Sequence, residues 1–93
     1  MNLAQTLYHT NKEPILGVRT TLHFWERYVE RYNCDLDVLS QLLKHIDKNI
    51  CLIIFNAASN DRYKALVKIS GVKVPVALMK DAEKYFIQLR SIY

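Results

Sequence analysis

The side chains of this 93-residue sequence that could do chemistry are three histidines, two cysteines and one serine in a polar turn. Histidine and cysteine bind metals when they recur at short spacings such as C-x-x-C or H-E-x-x-H, and no such spacing occurs among His9, His23, Cys34, His45 and Cys51. Ser59 lacks the flanking glycines of a nucleophile elbow, and residues 56–61 contain no glycine that could form a phosphate loop. We therefore predict no catalytic residue, no metal, no cofactor and no enzymatic activity.

The positive charge of the chain lies in its C-terminal half. The formal net charge is +4, with six basic and six acidic side chains in residues 1–48 and seven basic and three acidic in residues 49–93. A concentrated basic surface attracts nucleic acid through its phosphates. The sequence therefore predicts an RNA- or DNA-binding protein whose phosphate contacts are Lys64, Lys68, Lys73, Lys80 and Lys84, assisted by Arg62 and Arg90. The alternative is a solvated surface that keeps a small protein soluble.

Length and composition predict one folded domain over residues 1–93. Apolar residues make up 51% of the chain and charged residues 24%, with only two glycines and two prolines, which excludes disordered and collagen-like classes. The longest apolar runs, residues 50–55 and 74–79, are far shorter than the roughly 20 residues of a membrane span. No basic segment precedes an apolar one at the N-terminus. We expect a soluble, cytoplasmic protein.

Two amphipathic helices are the clearest elements that could position these side chains. The first covers residues 21–32, with Thr21 as its N-cap and an arc of aromatic and aliphatic residues on one side. The second begins at Leu36, is capped by Asp35 and stops near Asn49. A short helix over residues 2–9 and a short strand over residues 15–18 are predicted before them.

The fold depends on the two segments that follow. Ile50–Phe55 has no polar residue on either face, which is typical of a strand covered on both sides. Residues 60–70 predict a helix, because the lysines then share one side while Leu66 turns to the other. Gly71 stands where a helix often ends in a left-handed residue.

The remaining segments complete an α/β fold. Residues 72–78 predict a strand at the edge of the sheet, since Pro75 lacks an amide donor, and a last helix begins at about Lys80. The predicted fold is a small three-layer domain with a short, mostly parallel sheet and helices on both faces. In the alternative, residues 61–70 form a strand that pairs with residues 50–55, which gives a winged-helix-like α+β domain.

The predicted elements suggest two further surfaces. Ligands of open parallel sheets gather beyond the carboxyl ends of the strands, where a helix starting near residue 60 would offer free amides. This predicts an anion site made of Arg19, Asn56, Ser59 and Asn60. The alternative function is a protein-binding regulator or inhibitor, of the kind that mobile elements encode, which uses the aromatic helix 21–32. Its predicted protein contacts are Phe24, Arg27, Arg31 and Ile87.

The predicted order of elements also resembles that of kink-turn RNA-binding ribosomal proteins. The resemblance rests on residues 52–59, compared with a central strand and its turn, and on Val74-Pro75-Val76, compared with the next strand. Residues 17–20 lack the Asn-Glu of that family's RNA-reading motif, the stretch before the central strand is longer, and the final strand is missing. We therefore do not assign the chain to that family.

Overall fold

A computed structural model describes residues 15–82 and 84–93, so the predicted helix over residues 2–9 lies outside the described residues. The described chain forms four strands and three helices. Their bounds are β1 Ile15–Thr20, α1 Leu22–Tyr32, α2 Leu36–Lys48, α3 Ile50–Ala58, β2 Lys64–Ile69, β3 Val72–Asp81 and β4 Lys84–Leu89.

The four strands form one mixed sheet in the order β1-β4-β3-β2. Strands β2, β3 and β4 are antiparallel neighbours, and β1 runs parallel to β4. Buried side chains of all three helices join one face of this sheet in a single apolar cluster. The prediction of a small mixed α/β domain is confirmed, but the mostly parallel sheet is wrong. Among the described residues we find two layers, with helices on one face of the sheet, rather than three.

Helices α1 and α2 confirm the two amphipathic helices. The Thr21 hydroxyl accepts a hydrogen bond from the Phe24 amide at 3.1 Å, and the Asp35 carboxylate accepts one from the Asp37 amide at 2.9 Å. Helix α2 ends at Lys48, as expected from the asparagine that follows it. Local capping therefore fixes these boundaries as the sequence indicates.

Inside α1, burial raises the pKa of the Tyr28 hydroxyl, with smaller contributions from the nearby Cys34 and Asp35.

The predicted strand over residues 50–55 is wrong, because this segment begins helix α3. The buried residues of α3 follow helical spacing: Ile50, Ile53, Ile54 and Ala57. The remaining apolar side chains, Leu52 and Phe55 among them, point outward, and Cys51 is exposed as well. Since nearly all of residues 52–59 are helical, their resemblance to a central ribosomal-protein strand does not extend to the structure.

The predicted helix over residues 60–70 is also wrong, because β2 is extended from Lys64 to Ile69 and pairs with β3. Its residues alternate, with Ala65, Val67 and Ile69 against the core and Lys64, Leu66 and Lys68 on the other face. Gly71 does adopt positive φ, but it forms a two-residue hairpin turn with Ser70 and does not end a helix. The strand alternative is right for this segment, although its partner is β3 and not residues 50–55.

Strand β3 confirms the predicted strand over residues 72–78, but it lies inside the sheet and not at an edge. Pro75 removes one bond to β4 without leaving an acceptor unpaired, because its ring nitrogen faces Arg90, one residue past the end of β4, and the Arg90 carbonyl binds another donor. The Arg90 amide donates to the Pro75 carbonyl at 2.9 Å. The Thr21 hydroxyl donates to the Arg90 carbonyl at 3.1 Å, where a Pro75 amide would otherwise bind.

The predicted helix from about Lys80 is wrong as well, because residues 84–89 form strand β4. Ile87 and Leu89 face the core and are fully buried. Within residues 15–82 and 84–93, no helix combines the length and the apolar character that crossing a bilayer requires.

Candidate nucleic-acid interface

The face of the sheet opposite the helices carries three of the predicted phosphate contacts side by side. Lys68 stands directly across from Lys73 in the β2–β3 register, and Lys64 lies on the same face of β2, four residues before Lys68. All three side chains are exposed. We call Lys64, Lys68 and Lys73 the lysine face. It flanks Leu66, whose side chain is half exposed.

The other four predicted contacts are more dispersed. Lys84 lies on the same face of the sheet as these lysines but at its far end, opposite Asp81. Lys80 faces the helical side, where its Nζ lies 5.3 Å from the centre of the Tyr85 ring. Arg62 is exposed in the turn before β2, and Arg90 follows β4.

A cavity of about 450 Å³ joins Arg90 to the lysine face. Its lining includes Lys64, Pro75 and Arg90, together with Thr21 and His23 at the start of α1. The amino terminus of a helix carries partial positive charge, which adds to that of the two cationic side chains. Another lining residue, Ser91, is buried, and its hydroxyl has no hydrogen-bond partner in the described structure. Sequence reasoning missed His23 and Ser91, because only the strand β4 brings residues 90–93 beside α1.

No described acidic side chain forms an ion pair with the lysine face. The ion pairs of the described chain join Arg19 to Asp81 at 3.4 Å and Arg27 to Glu30 at 3.5 Å. The guanidinium of Arg19 also lies 4.0 Å from the centre of the Phe86 ring. Asp81 is therefore paired at the far end of the sheet, and no acidic side chain in residues 15–82 and 84–93 compensates the lysine face through an ion pair.

The two layers of the molecule differ in charge. Residues 22–58, which contain the helices, carry four basic and five acidic side chains, whereas residues 59–93 carry seven basic and three acidic. The charge asymmetry along the sequence thus becomes a spatial one, with the basic side toward the sheet.

The predicted anion site is not assembled, because its residues lie in different places. Asn56 and Ser59 belong to the carboxyl end of α3, where the Ser59 hydroxyl donates to the Phe55 carbonyl at 2.8 Å. The Asn60 side-chain oxygen accepts a hydrogen bond from the Arg62 amide at 2.8 Å. A helix carboxyl end carries partial negative charge and disfavours anions. Arg19 lies on β1, at the edge of the sheet opposite β2 and α3.

The predicted protein contacts are mostly occupied within the fold. Phe24 and Ile87 are fully buried, so the expectation that they lie at the surface is wrong. Arg27 forms its ion pair within α1, and Arg31 lies 5.3 Å from the centre of the Tyr93 ring.

Helix α1 exposes different apolar residues instead. Leu22 is 74% exposed, Trp25 38% and Val29 51%, and their spacing places them on one side of successive turns. The Trp25 indole donates to the Thr20 hydroxyl at 2.7 Å, which holds the ring in place. We call Leu22, Trp25 and Val29 the α1 stripe.

The described histidine, cysteine, aspartate and glutamate residues form no group of three that could hold a metal ion. No protein-family model matches the chain, and neither curated proteins nor solved structures give a significant match. The function has to be inferred from the surface geometry.

Proposed function

We propose that this protein binds nucleic acid without catalysing a reaction, and that the lysine face contacts the phosphates. The observation that carries the proposal is the juxtaposition of three exposed lysines, Lys64, Lys68 and Lys73, on the sheet face away from the helices, with no described acidic partner. Arg90 and the cavity it shares with Lys64 extend the same positive surface. The opposite charge balance of the helical layer supports an orientation with the sheet toward the polyanion.

Binding of this kind depends strongly on salt. Each neutralised phosphate releases counterions, so that the logarithm of the affinity falls with the logarithm of salt concentration by about 0.7 to 0.9 per contact. Three to four contacts predict a loss of about 20- to 150-fold between 50 and 200 mM salt. A flat response up to high salt would eliminate the proposal.

The first prediction compares two charge-matched double variants. Lys64→Glu with Lys68→Glu removes two phosphate contacts and should weaken binding by at least about tenfold, lowering the salt slope by roughly two. Lys44→Glu with Lys48→Glu makes the same change of net charge on exposed positions of α2 and should change affinity by no more than about twofold. Fluorescence anisotropy with mixed RNA and DNA oligonucleotides, titrated with salt, measures both quantities.

The control pair, Lys44→Glu with Lys48→Glu, tests whether the change of net charge alone explains weaker binding. If both pairs weaken binding equally, only net charge matters and the lysine face has no special role. Circular dichroism should show that both variants remain folded, because all four lysines are exposed.

A protein-binding regulator remains the second candidate, and the α1 stripe is the observation that favours it. Trp is enriched at interface hot spots, and adjoining aliphatic residues exclude water around such anchors. In that case Leu22→Glu with Val29→Glu abolishes binding to the partner, while Lys64→Glu with Lys68→Glu does not. Co-purification with each variant, followed by mass spectrometry, separates the two candidates.

A further inference from the structure

A second cleft lies at the end of the sheet where β2 begins. Its volume is about 380 Å³, and its lining consists of Tyr63, Leu78, Met79, Lys80 and Tyr85. The lining thus combines two aromatic rings, two flexible apolar side chains and one cation. No predicted site residue other than Lys80 belongs to it.

Tyr63 presents an exposed ring on a fixed backbone. Its side chain is 55% exposed, yet its amide donates to the Asn60 carbonyl at 3.0 Å and its carbonyl accepts from the Leu78 amide at 2.7 Å. Its φ of 56° turns the chain immediately before β2. An exposed aromatic side chain held in this way loses little backbone freedom when a planar ligand stacks on it.

The cation of the cleft is also held in place. The Lys80 ammonium lies over the Tyr85 ring at 5.3 Å. The neighbouring carboxylate, Asp81, lies on the other face of the sheet and pairs with Arg19. Among the described residues, no carboxylate pairs with the Lys80 ammonium beside the aromatic walls of the cleft.

The cleft lies on the helical side of the sheet, to which Leu78, Lys80 and Tyr85 belong, and the lysine face lies on the other side. The two surfaces meet at the start of the edge strand β2, where Tyr63 directly precedes Lys64. Lys68 follows about 13 Å further along the strand. An aromatic ring on which a base can stack, next to a cationic track, is the arrangement that binds single strands. Duplex bases are already stacked and cannot enter such a cleft.

We propose that the Tyr63–Tyr85 cleft takes one unpaired nucleobase of a single-stranded nucleic acid, which stacks on Tyr63 while an adjoining phosphate contacts Lys80 and the strand passes around the edge at β2 to reach Lys64. This inference rests on the proposed function and narrows its ligand to single strands.

The test uses the full chain with a single-stranded oligonucleotide and a duplex of the same sequence. Tyr63→Ala should weaken single-strand binding by about 5- to 100-fold and leave duplex binding within about twofold. Tyr63→Phe keeps the ring and should bind like the parent protein. Phe55→Ala removes another exposed aromatic side chain, outside the cleft, and should bind like the parent protein too.

A second measurement changes the nucleic acid and compares the parent protein with Tyr63→Ala. Oligonucleotides carrying one abasic position should lose affinity at a single register for the parent protein and at none for Tyr63→Ala. Equal loss by Tyr63→Ala on single strands and duplex, or no loss at all, overturns the cleft while the lysine face stands. No salt-sensitive binding of the parent protein to any nucleic acid overturns the proposed function itself.

Discussion

Thr21 connects the beginning of α1 to the end of β4. Its hydroxyl accepts from the Phe24 amide and donates to the Arg90 carbonyl, both at 3.1 Å, and its amide donates to the Leu89 carbonyl at 3.2 Å. One side chain thus caps a helix and also satisfies the carbonyl that faces Pro75.

The second prediction concerns this cap. Thr21→Ala should lower the free energy of unfolding by about 1 to 2 kcal/mol, because it removes the cap and leaves the Arg90 carbonyl without its donor. Thr21→Ser keeps the hydroxyl and should cost less than about 0.5 kcal/mol. Urea denaturation measures both, with exposed Ser40→Ala as a control expected to change stability by no more than about 0.5 kcal/mol. Equal losses for Thr21→Ala and Thr21→Ser would show that the hydroxyl does not matter.

At the scale of elements, the β2–β3 hairpin depends on its two-residue turn. Ser70 has φ of 46° and Gly71 has φ of 82°, the combination of a type I′ turn that matches the twist of the strands. A Cβ added at Gly71 would meet no atom within 4 Å. Any cost of substitution there is therefore conformational and not a clash.

The third prediction tests this turn with one substitution that should lower stability and one that should raise it. Gly71→Ala should destabilise the protein by about 1 to 2 kcal/mol, because an L-residue is disfavoured in the left-handed region. Ser70→Asn should stabilise it by about 0.5 kcal/mol, because Asn-Gly is the preferred pair for this turn. Both changes are read from the denaturation midpoint. Opposite signs support the turn, whereas a neutral Gly71→Ala would contradict it.

Helices α1 and α2 were predictable because their signals are local. Thr21 and Asp35 are caps, and the apolar residues between the caps repeat with helical spacing. In α3 every residue from Ile50 to Phe55 is apolar, so neither period can be read. The helix penalty of isoleucine, less than about 0.7 kcal/mol, is smaller than the roughly 1.5 to 3 kcal/mol gained by burying it. Tertiary packing therefore decided the element.

The strand β2 was predicted as a helix because of one leucine. Leu66 is half exposed between two lysines, and a helix was predicted in order to bury it. Exposed leucines are ordinary in folded proteins, so this residue carried less information than its alternating neighbours.

The prediction that Lys64 and Lys68 share a face is right although the predicted helix is wrong, and the reason is geometric. Residues four apart, such as Lys64 and Lys68, share a face in a helix and in a strand alike. Spacing alone did not predict the faces of Lys73 and Lys80, because the face on which each lies depends on the sheet register. Two residues of the lysine face were thus predictable from spacing, and the third, Lys73, required the topology.

At the scale of the whole molecule, the separation of charge between the layers has a kinetic meaning. A polyanion approaching in low salt is attracted to the sheet side and meets the slightly acidic helical layer less often. The association rate should therefore fall more steeply with salt than the dissociation rate rises, which stopped-flow anisotropy can measure.

Strand β1 pairs with the strand most distant from it in sequence, so that Thr20 lies beside Leu89. Contacts of such long range form late, after shorter loops have closed. We expect Val18→Ala, which trims a half-buried β1 side chain, to speed unfolding by about fivefold for each 1 kcal/mol lost and to leave the folding rate unchanged. Slower folding of this variant would show that β1 docks early.

The same pairing bears on how the protein matures in the cell. While the ribosome is still adding the last strand, β1 has emerged without its neighbour, and its unpaired backbone groups are open to other chains. The emergence of β4, not the appearance of the helices, is then the step that completes the sheet, and chaperone binding would be needed most just before it.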